Sequence, residues 1–139
     1  MSPSRFEDDR NCFACGKDNP DGLHLEFESV GDDVRTSVAF PGKFQGYREI
    51  VHGGLVSTVL DETMVTLLNR MGYLALTAEL SVRFREPVHV GERIDVTASL
   101  VGKRGKVFRL AATATRQDGT AVATAEARCF QVGLVREGS

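Results

Sequence analysis

The sequence predicts an α+β fold in which a curved antiparallel sheet wraps around one long central helix. The first observation is a segment from Gly54 to Met71 whose apolar residues cover most of a helical circumference. Such a helix is normally surrounded by other structure. The second observation is a set of stretches on both sides of it in which apolar and polar residues alternate, as in strands. Turn residues separate these stretches and indicate hairpins, which makes neighbouring strands antiparallel.

Six strands and one helix are expected along the chain. Residues 23–30 alternate cleanly and residues 33–40 less so, and both stretches precede the helix. The helix covers residues 54–71, and Gly72 is expected to end it. Four further strands are expected after the helix, over residues 74–86, 93–102, 106–117 and 121–132.

The length of 139 residues allows one domain with a sizeable core. We divide the chain into a polar, turn-rich lead-in segment over residues 1–22, a main domain over residues 23–132 and a C-terminal tail over residues 133–139. A single sheet of this size leaves edge strands unpaired. We therefore expect a homodimer formed by edge pairing, with a dimer of dimers as an alternative.

Composition excludes several classes of function. With 17 basic and 19 acidic residues the net charge is -2, which gives no electrostatic signature for nucleic acid. The first residues are polar and charged, so no secretory signal is expected. No apolar run approaches the roughly 20 residues that span a bilayer. We therefore expect a cytoplasmic protein that binds neither nucleic acid nor a membrane.

A C-x-x-C motif lies in the lead-in segment, at Cys12 and Cys15. Such a motif can hold zinc or cycle between dithiol and disulfide. A structural zinc site usually takes four Cys or His ligands, and the three histidines show no paired ligand spacing: His24, His52 and His89. The sequence therefore favours two partly buried thiols, and we expect no metal and no cofactor.

The entrance of the helix carries the first candidate functional residues, in "VHGGLVSTVLDETM" over residues 51–64. Backbone N–H groups at a helix N-terminus lack partners and lie at the positive end of the helix dipole. Gly53 and Gly54 let a ligand approach that backbone closely. The segment suits an oxyanion or a polarised carbonyl oxygen, although the two glycines could equally form only a tight turn.

Two carboxylates interrupt the apolar helix, Asp61 and Glu62. They differ by about 100° around the helix axis. Asp61 shares a mostly apolar face, where a carboxylate is costly to bury and is a functional candidate; a purely structural role is the alternative. Glu62 shares a polar stripe and is interpreted as structural. Gly53 and Asp61 are roughly 12 Å apart along the axis, so a site that uses both would lie between subunits.

These residues carry a resemblance. "VHGGLVSTVLD", "TAELSVRFREPVHVGERI" and "DGTAVATAEARCF" resemble the hotdog-fold thioesterases of the PaaI / 4-hydroxybenzoyl-CoA thioesterase type, from about Leu23 to Val132. The resemblance implies the hotdog fold and hydrolysis of an acyl-CoA without a metal. It also implies that Asp61 acts as nucleophile or general base, that the Gly53 amide binds the thioester oxygen, and that His52 positions this loop.

The resemblance implies further site residues and one departure. Thr77 falls where the family places a Ser or Thr that helps to hold the water. Family members often carry an Asn six residues before the His, where this chain has Gly46. The neighbouring Gln45 is the candidate replacement for the missing amide.

A substrate site follows from the same interpretation. Met64 and Leu68 are expected to line an acyl pocket beside the helix, together with residues of a partner subunit. The nucleotide of CoA would favour basic residues; the candidates are Lys103 and Arg104, with Arg83 and Arg85 as alternatives. Basic residues in a turn are also common on solvated surfaces.

Three functions remain open at this point. The first is an acyl-CoA thioesterase, and the sequence does not specify its acyl group. The second is a hotdog dimer that binds an acyl-CoA or another small acyl ligand without turnover. The third is a zinc-dependent interaction protein that uses Cys12 and Cys15.

Overall fold

The computed structural model describes residues 8–135 and contains one α helix and six strands. A short 3-10 helix, Gly42–Phe44, precedes the α helix. The elements in chain order are β1 (Phe27–Val30), β2 (Asp33–Ala39), α1 (Gly53–Arg70), β3 (Tyr73–Phe84), β4 (Arg93–Arg104), β5 (Val107–Thr115) and β6 (Ala121–Leu134). Parts of the predicted lead-in and tail, residues 1–7 and 136–139, lie outside the described residues. The predicted boundaries of the main domain stay a prediction.

All six strands form one sheet in the order β1-β2-β4-β5-β6-β3, and every neighbouring pair is antiparallel. Helix α1 packs across this sheet and contacts β2, β3, β4, β5 and β6. The predicted fold class is therefore confirmed. Register shifts interrupt the pairing of β3, β5 and β6, and such bulges bend a strand and increase its local twist.

Helix α1 supplies the centre of the hydrophobic core. It begins at Gly53 and ends at Arg70, each one residue earlier than the spacing predicts. Its buried residues are Val56, Val59, Leu60, Thr63, Met64, Leu67 and Leu68. They pack with the inward side chains of the sheet, such as Phe108 and Leu110. Within residues 8–135, no helix combines the length and apolar character that a bilayer crossing requires.

The first strand is shorter than predicted. The alternation over residues 23–30 predicts one strand, but β1 begins only at Phe27. His24 has a φ of 52°, which is outside the range of an extended strand. The amide of Leu23 donates instead to the carbonyl of Phe13. This stretch therefore pairs with the lead-in segment, so alternation alone misplaced the start of the strand.

Strand β3 forms one edge of the sheet. It pairs with β6 on one side and with no other strand among the described residues. Three large apolar side chains of β3 are exposed: Leu76 at 43%, Leu80 at 36% and Phe84 at 53%. An unpaired edge with exposed apolar side chains is a surface on which another strand can pair.

Candidate active site

His52 forms the N-terminal cap of α1. Its Nδ1 accepts a hydrogen bond from the amide of Gly54 at 3.0 Å, which satisfies one of the free donors of the first helical turn. The Nδ1 atom that accepts this hydrogen bond carries no proton. The Gly54 amide, predicted to face a ligand, is therefore engaged within the chain.

The Gly53 amide is the free donor at this helix end. Among residues 8–135 it has no hydrogen-bond partner, and it lies at the positive end of the helix dipole. The ring of Phe84 packs against the glycine: a Cβ at this position would lie 3.3 Å from the Phe84 Cζ. Because glycine has no side chain, the amide stays accessible next to the ring of Phe84.

A cleft of about 430 Å³ opens at this end of the helix. Its lining is mostly apolar and includes Tyr47, Val56, Phe84 and Val88, together with His52 and Gly53. Arg85 also borders the cleft. Of the basic residues predicted to bind the nucleotide of CoA, it is the one that lines this cleft together with the helix entrance. An apolar cleft that is lined by a residue with a free N–H donor suits a small molecule that carries a carbonyl group.

Asp61 is held by Thr77. The Thr77 hydroxyl donates to Asp61 Oδ1 at 2.6 Å, and both side chains are partly buried. Thr77 belongs to the edge strand β3, so this carboxylate lies near the free edge of the sheet. Neither residue borders the cleft at Gly53. The structure therefore presents the predicted catalytic residues in two groups, His52 with Gly53 and Asp61 with Thr77.

Glu62, interpreted from its spacing as a structural carboxylate, lies close to the lead-in segment. It is partly buried, and burial raises its pKa. The nearby charge of Asp61 raises this pKa further, whereas a hydrogen bond from Cys15 lowers it. The sequence could not reveal this environment, because it depends on Cys12 and Cys15 of the lead-in segment, which lie next to Glu62.

Gln45 does not face the helix entrance. Its Oε1 accepts a hydrogen bond from the amide of Glu49 at 3.1 Å, and the side chain is exposed. At Gly46, a Cβ would lie 3.3 Å from the Cα of His52. A larger residue at Gly46 would therefore press against His52, and no side-chain amide occupies the position at which the resemblance places an Asn.

Met64 and Leu68, the predicted acyl-pocket residues, are both 0% exposed. They lie inside the core cluster and border neither the cleft at Gly53 nor the three clefts on the sheet. Their burial follows from the heptad-like position they share on the inner face of α1. In this structure both are core residues, and their role in an acyl pocket stays a prediction.

The remaining basic residues lie on other surfaces. Lys103 and Arg104 border a cleft of about 580 Å³ together with Arg109 and Arg128. Arg83 borders a different cleft, of about 320 Å³, and Arg85 lines it too. Sequence reasoning missed Arg109 and Arg128, which stand directly opposite each other on β5 and β6. No sequence signal reveals such a pair, because it depends on strand register.

Residues 49–123 match the family model of the thioesterase superfamily. This match covers more than half of the chain, so the chain belongs to the thioesterase superfamily. None of the curated proteins compared with the chain matches it. The family predicted from the sequence is thereby confirmed.

Solved structures of similar proteins share the hotdog fold. A thioesterase superfamily protein is 25% identical with a TM-score of 0.81; the match covers 87% of this chain and 63% of that chain. The protein smu.793 from Streptococcus mutans UA159, bound to acetyl CoA, is 20% identical with a TM-score of 0.75, over 81% and 91%. The PaaI protein of E. coli is 16% identical with a TM-score of 0.76, over 81% and 83%.

Proposed function

We propose that this protein hydrolyses an acyl-CoA thioester to a free acid and CoA. The observation that carries the proposal is the Gly53 amide, which has no hydrogen-bond partner among residues 8–135 and belongs to a residue that lines a mostly apolar cleft at the positive end of α1. A donor so placed stabilises the negative charge that develops on a thioester oxygen under attack. Membership of the thioesterase superfamily and the similarity to a structure that contains acetyl CoA also support it.

In the proposed reaction, Asp61 acts as the base or the nucleophile. As a base, its carboxylate removes a proton from water, and the resulting hydroxide attacks the thioester carbonyl carbon. The oxyanion accepts a hydrogen bond from the Gly53 amide. The carbon–sulfur bond then breaks, and the CoA sulfur leaves with the proton. Thr77 orients the carboxylate through its hydrogen bond, and His52 fixes the loop by capping α1.

The two groups of residues would meet across a dimer interface. Asp61 and Gly53 lie roughly 12 Å apart along α1, too far to act on one carbonyl. Both contact β3, since Thr77 bonds Asp61 and Phe84 packs on Gly53. If two β3 strands pair antiparallel about an axis between Leu80 and Ser81, Thr77 comes opposite the partner subunit's Phe84. Asp61 then lies beside the partner subunit's Gly53.

The free edge of β3 supports this pairing. The exposed Leu76, Leu80 and Phe84 would become covered, and the edge N–H and C=O groups of β3 would find partners. Because a two-fold interface repeats each contact, one dimer would contain two identical sites. Arg85 borders the cleft and would contact a phosphate of CoA. The other basic candidates lie on the sheet away from this cleft.

A second candidate function is binding of an acyl-CoA without turnover. The observation that favours it is the engagement of Gln45, whose side-chain oxygen bonds the Glu49 amide instead of facing the cleft. A site that lacks an amide to position water would still offer the apolar cleft and the Gly53 donor. Such a protein would bind the thioester and leave it intact.

The test is thiol release from a panel of aryl, short-chain and medium-chain acyl-CoAs, with wild type beside Asp61→Asn. The matched control is Asp32→Asn, which neutralises an exposed carboxylate between β1 and β2. We expect Asp61→Asn to lower kcat at least about a hundredfold, a typical loss for general acid–base catalysis, and Asp32→Asn to change nothing. Saturable binding with no thiol release would favour the second candidate. Equal rates in all three proteins would refute the role of Asp61.

A further inference from the structure

The lead-in segment and α1 together form a cluster of three metal-ligating groups. The sulfurs of Cys12 and Cys15 and a carboxylate oxygen of Glu62 all lie within 4.8 Å of one another. All three side chains are partly buried. The two cysteines belong to one turn, whereas Glu62 projects from the helix on which that turn lies. The cluster is separate from the cleft at Gly53.

The cysteine turn is closed by a glycine that no other residue could replace without moving the backbone. The amide of Gly16 donates to the carbonyl of Cys12 at 2.8 Å. A Cβ at Gly16 would lie 2.3 Å from the Cys12 nitrogen and 2.6 Å from the carbonyl oxygen of Arg10. Both distances are much shorter than a van der Waals contact. The turn is therefore a specific, tightly wound structure that brings both thiols to Glu62.

The surroundings of the cluster supply negative charge. Among the described residues, no Lys or Arg forms an ion pair with Glu62. The charges that act on it are those of Asp61 and Asp8. A partly buried carboxylate without a compensating cation is costly, and a divalent cation would remove that cost.

We propose that Cys12, Cys15 and Glu62 bind a zinc ion that fastens the lead-in segment to α1. Two thiolates and one carboxylate oxygen form a donor set that zinc accepts, with water in the fourth position. Zinc lies at about 2.3 Å from sulfur and about 2.0–2.2 Å from a carboxylate oxygen. Tetrahedral ligands at these distances are roughly 3.5–3.8 Å apart, so a small closure of the cluster suffices.

Zinc is disfavoured by the sequence when only cysteines and histidines are considered as ligands. Glu62 is the further ligand, and only the packing of the lead-in segment on α1 reveals it. The ion would be structural, because Glu62 and Asp61 differ by about 100° around the axis and the Thr77 hydroxyl donates to Asp61, not to Glu62. The proposal is therefore independent of whether the chain hydrolyses thioesters.

The experiment begins with the wild-type full chain, so that it does not depend on the folding of any variant. After zinc is removed with a chelator, the protein is titrated with Co²⁺ and followed by absorption. We expect about one equivalent to bind, with the intense near-ultraviolet thiolate band and visible bands of tetrahedral cobalt. Zinc should then displace cobalt, and element analysis should find zinc in the protein as purified.

Variants identify the ligands. Cys12→Ser, Cys15→Ser and Glu62→Gln should each weaken zinc binding at least about tenfold, because the loss of even a residue that only orients a ligand typically costs roughly 10- to 100-fold in metal affinity. Cys129→Ala and Glu79→Gln are the controls, since Cys129 is buried elsewhere and Glu79 is exposed. These controls should bind zinc as the wild type does.

Two results would overturn the proposal. Wild type that gives no thiolate band with Co²⁺ and retains no zinc after gel filtration has no such site. Glu62→Gln that binds zinc with wild-type affinity would remove Glu62 from the ligand set. If a variant fails to fold, the cobalt titration of the wild type alone decides whether two thiolates bind the ion.

Discussion

The hydroxyl of Thr77 donates a 2.6 Å hydrogen bond to Asp61 Oδ1 and so ties helix α1 to the edge strand β3. A register shift follows directly in β3: Thr77 pairs with Cys129, Glu79 pairs with Arg128, and Ala78 has no partner. Such a bulge reverses the alternation of a strand. Thr77 therefore faces the helix, whereas Glu79, two residues later, is exposed on the outer face.

Removal of the Thr77 hydroxyl should lower catalysis more than substrate binding. A hydrogen bond to a charged group contributes about 1.5–3 kcal/mol, so we expect Thr77→Ala to lower kcat roughly 10- to 100-fold with little change in KM. Thr77→Ser keeps the hydroxyl and should retain most of the rate. Steady-state kinetics of the two variants on the best acyl-CoA decide the matter. Wild-type kcat in Thr77→Ala would show that the bond only stabilises the fold.

The absence of a side chain at Gly53 should matter because Phe84 occupies the adjacent space. In Gly53→Ala the new methyl group would meet the Phe84 ring at 3.3 Å. An overpacked contact costs typically 1–3 kcal/mol, so we expect kcat/KM to fall by about 10-fold or more. Gly42→Ala is the matched control, since a Cβ there meets nothing within 4 Å.

A double variant separates the steric effect at Gly53 from other effects. Leucine at position 84 leaves more room beside the helix entrance, so Gly53→Ala combined with Phe84→Leu should recover part of the lost kcat/KM. Kinetics of both single variants and the double variant form a cycle that isolates the coupling. Strictly additive losses would contradict the contact as the cause.

Most of the fold could be predicted from the sequence because its elements are long and regular. The apolar positions of α1 recur with helical spacing, and its predicted limits differ from the observed ones by a single residue at each end. The later strands were separable because glycines and Asp118 mark their turns. The start of β1 was misplaced because the alternation over residues 23–30 cannot reveal that this backbone bonds the lead-in segment.

The candidate site was predictable only in part. His52, Gly53 and Asp61 stand out by residue type and helical position, and the structure places them at the helix entrance and on α1. The bulge that turns Thr77 inward depends on strand register, and so does the pair Arg109 and Arg128. The burial of Glu62 depends on a distant segment. Each of these features arises from tertiary packing, which local patterns do not encode.

The turn between β5 and β6 should make stability depend on pH. Asp118 Oδ1 accepts a hydrogen bond from the Thr120 amide at 2.8 Å, and this hydrogen bonding lowers the pKa of Asp118. A carboxyl group with a lowered pKa stabilises the folded state above its unfolded pKa of about 3.9. That contribution is lost as the pH falls through the lower, folded value.

Replacement of Asp118 should therefore matter at neutral pH and not in acid. We expect Asp118→Ala to lower the free energy of unfolding near neutral pH, and the difference from wild type to shrink as the pH falls below about 3.9. Asp118→Asn keeps an acceptor and should lose less. Urea unfolding at several pH values measures the effect. A difference that is constant with pH would show that the charge of Asp118 contributes nothing.

A mixture of two variants with impaired activity tests whether the site is shared between subunits. In a heterodimer of Asp61→Asn and Gly53→Ala, one shared site carries both substitutions and the other carries neither. Random mixing, by refolding or co-expression, should therefore restore about a quarter of the wild-type sites in a two-fold dimer. Asp61→Asn mixed with Thr77→Ala is the control, because both residues belong to the same half and no intact site can form. If each chain instead contained a complete site, neither mixture would regain thiol release, and the shared arrangement along β3 would be wrong.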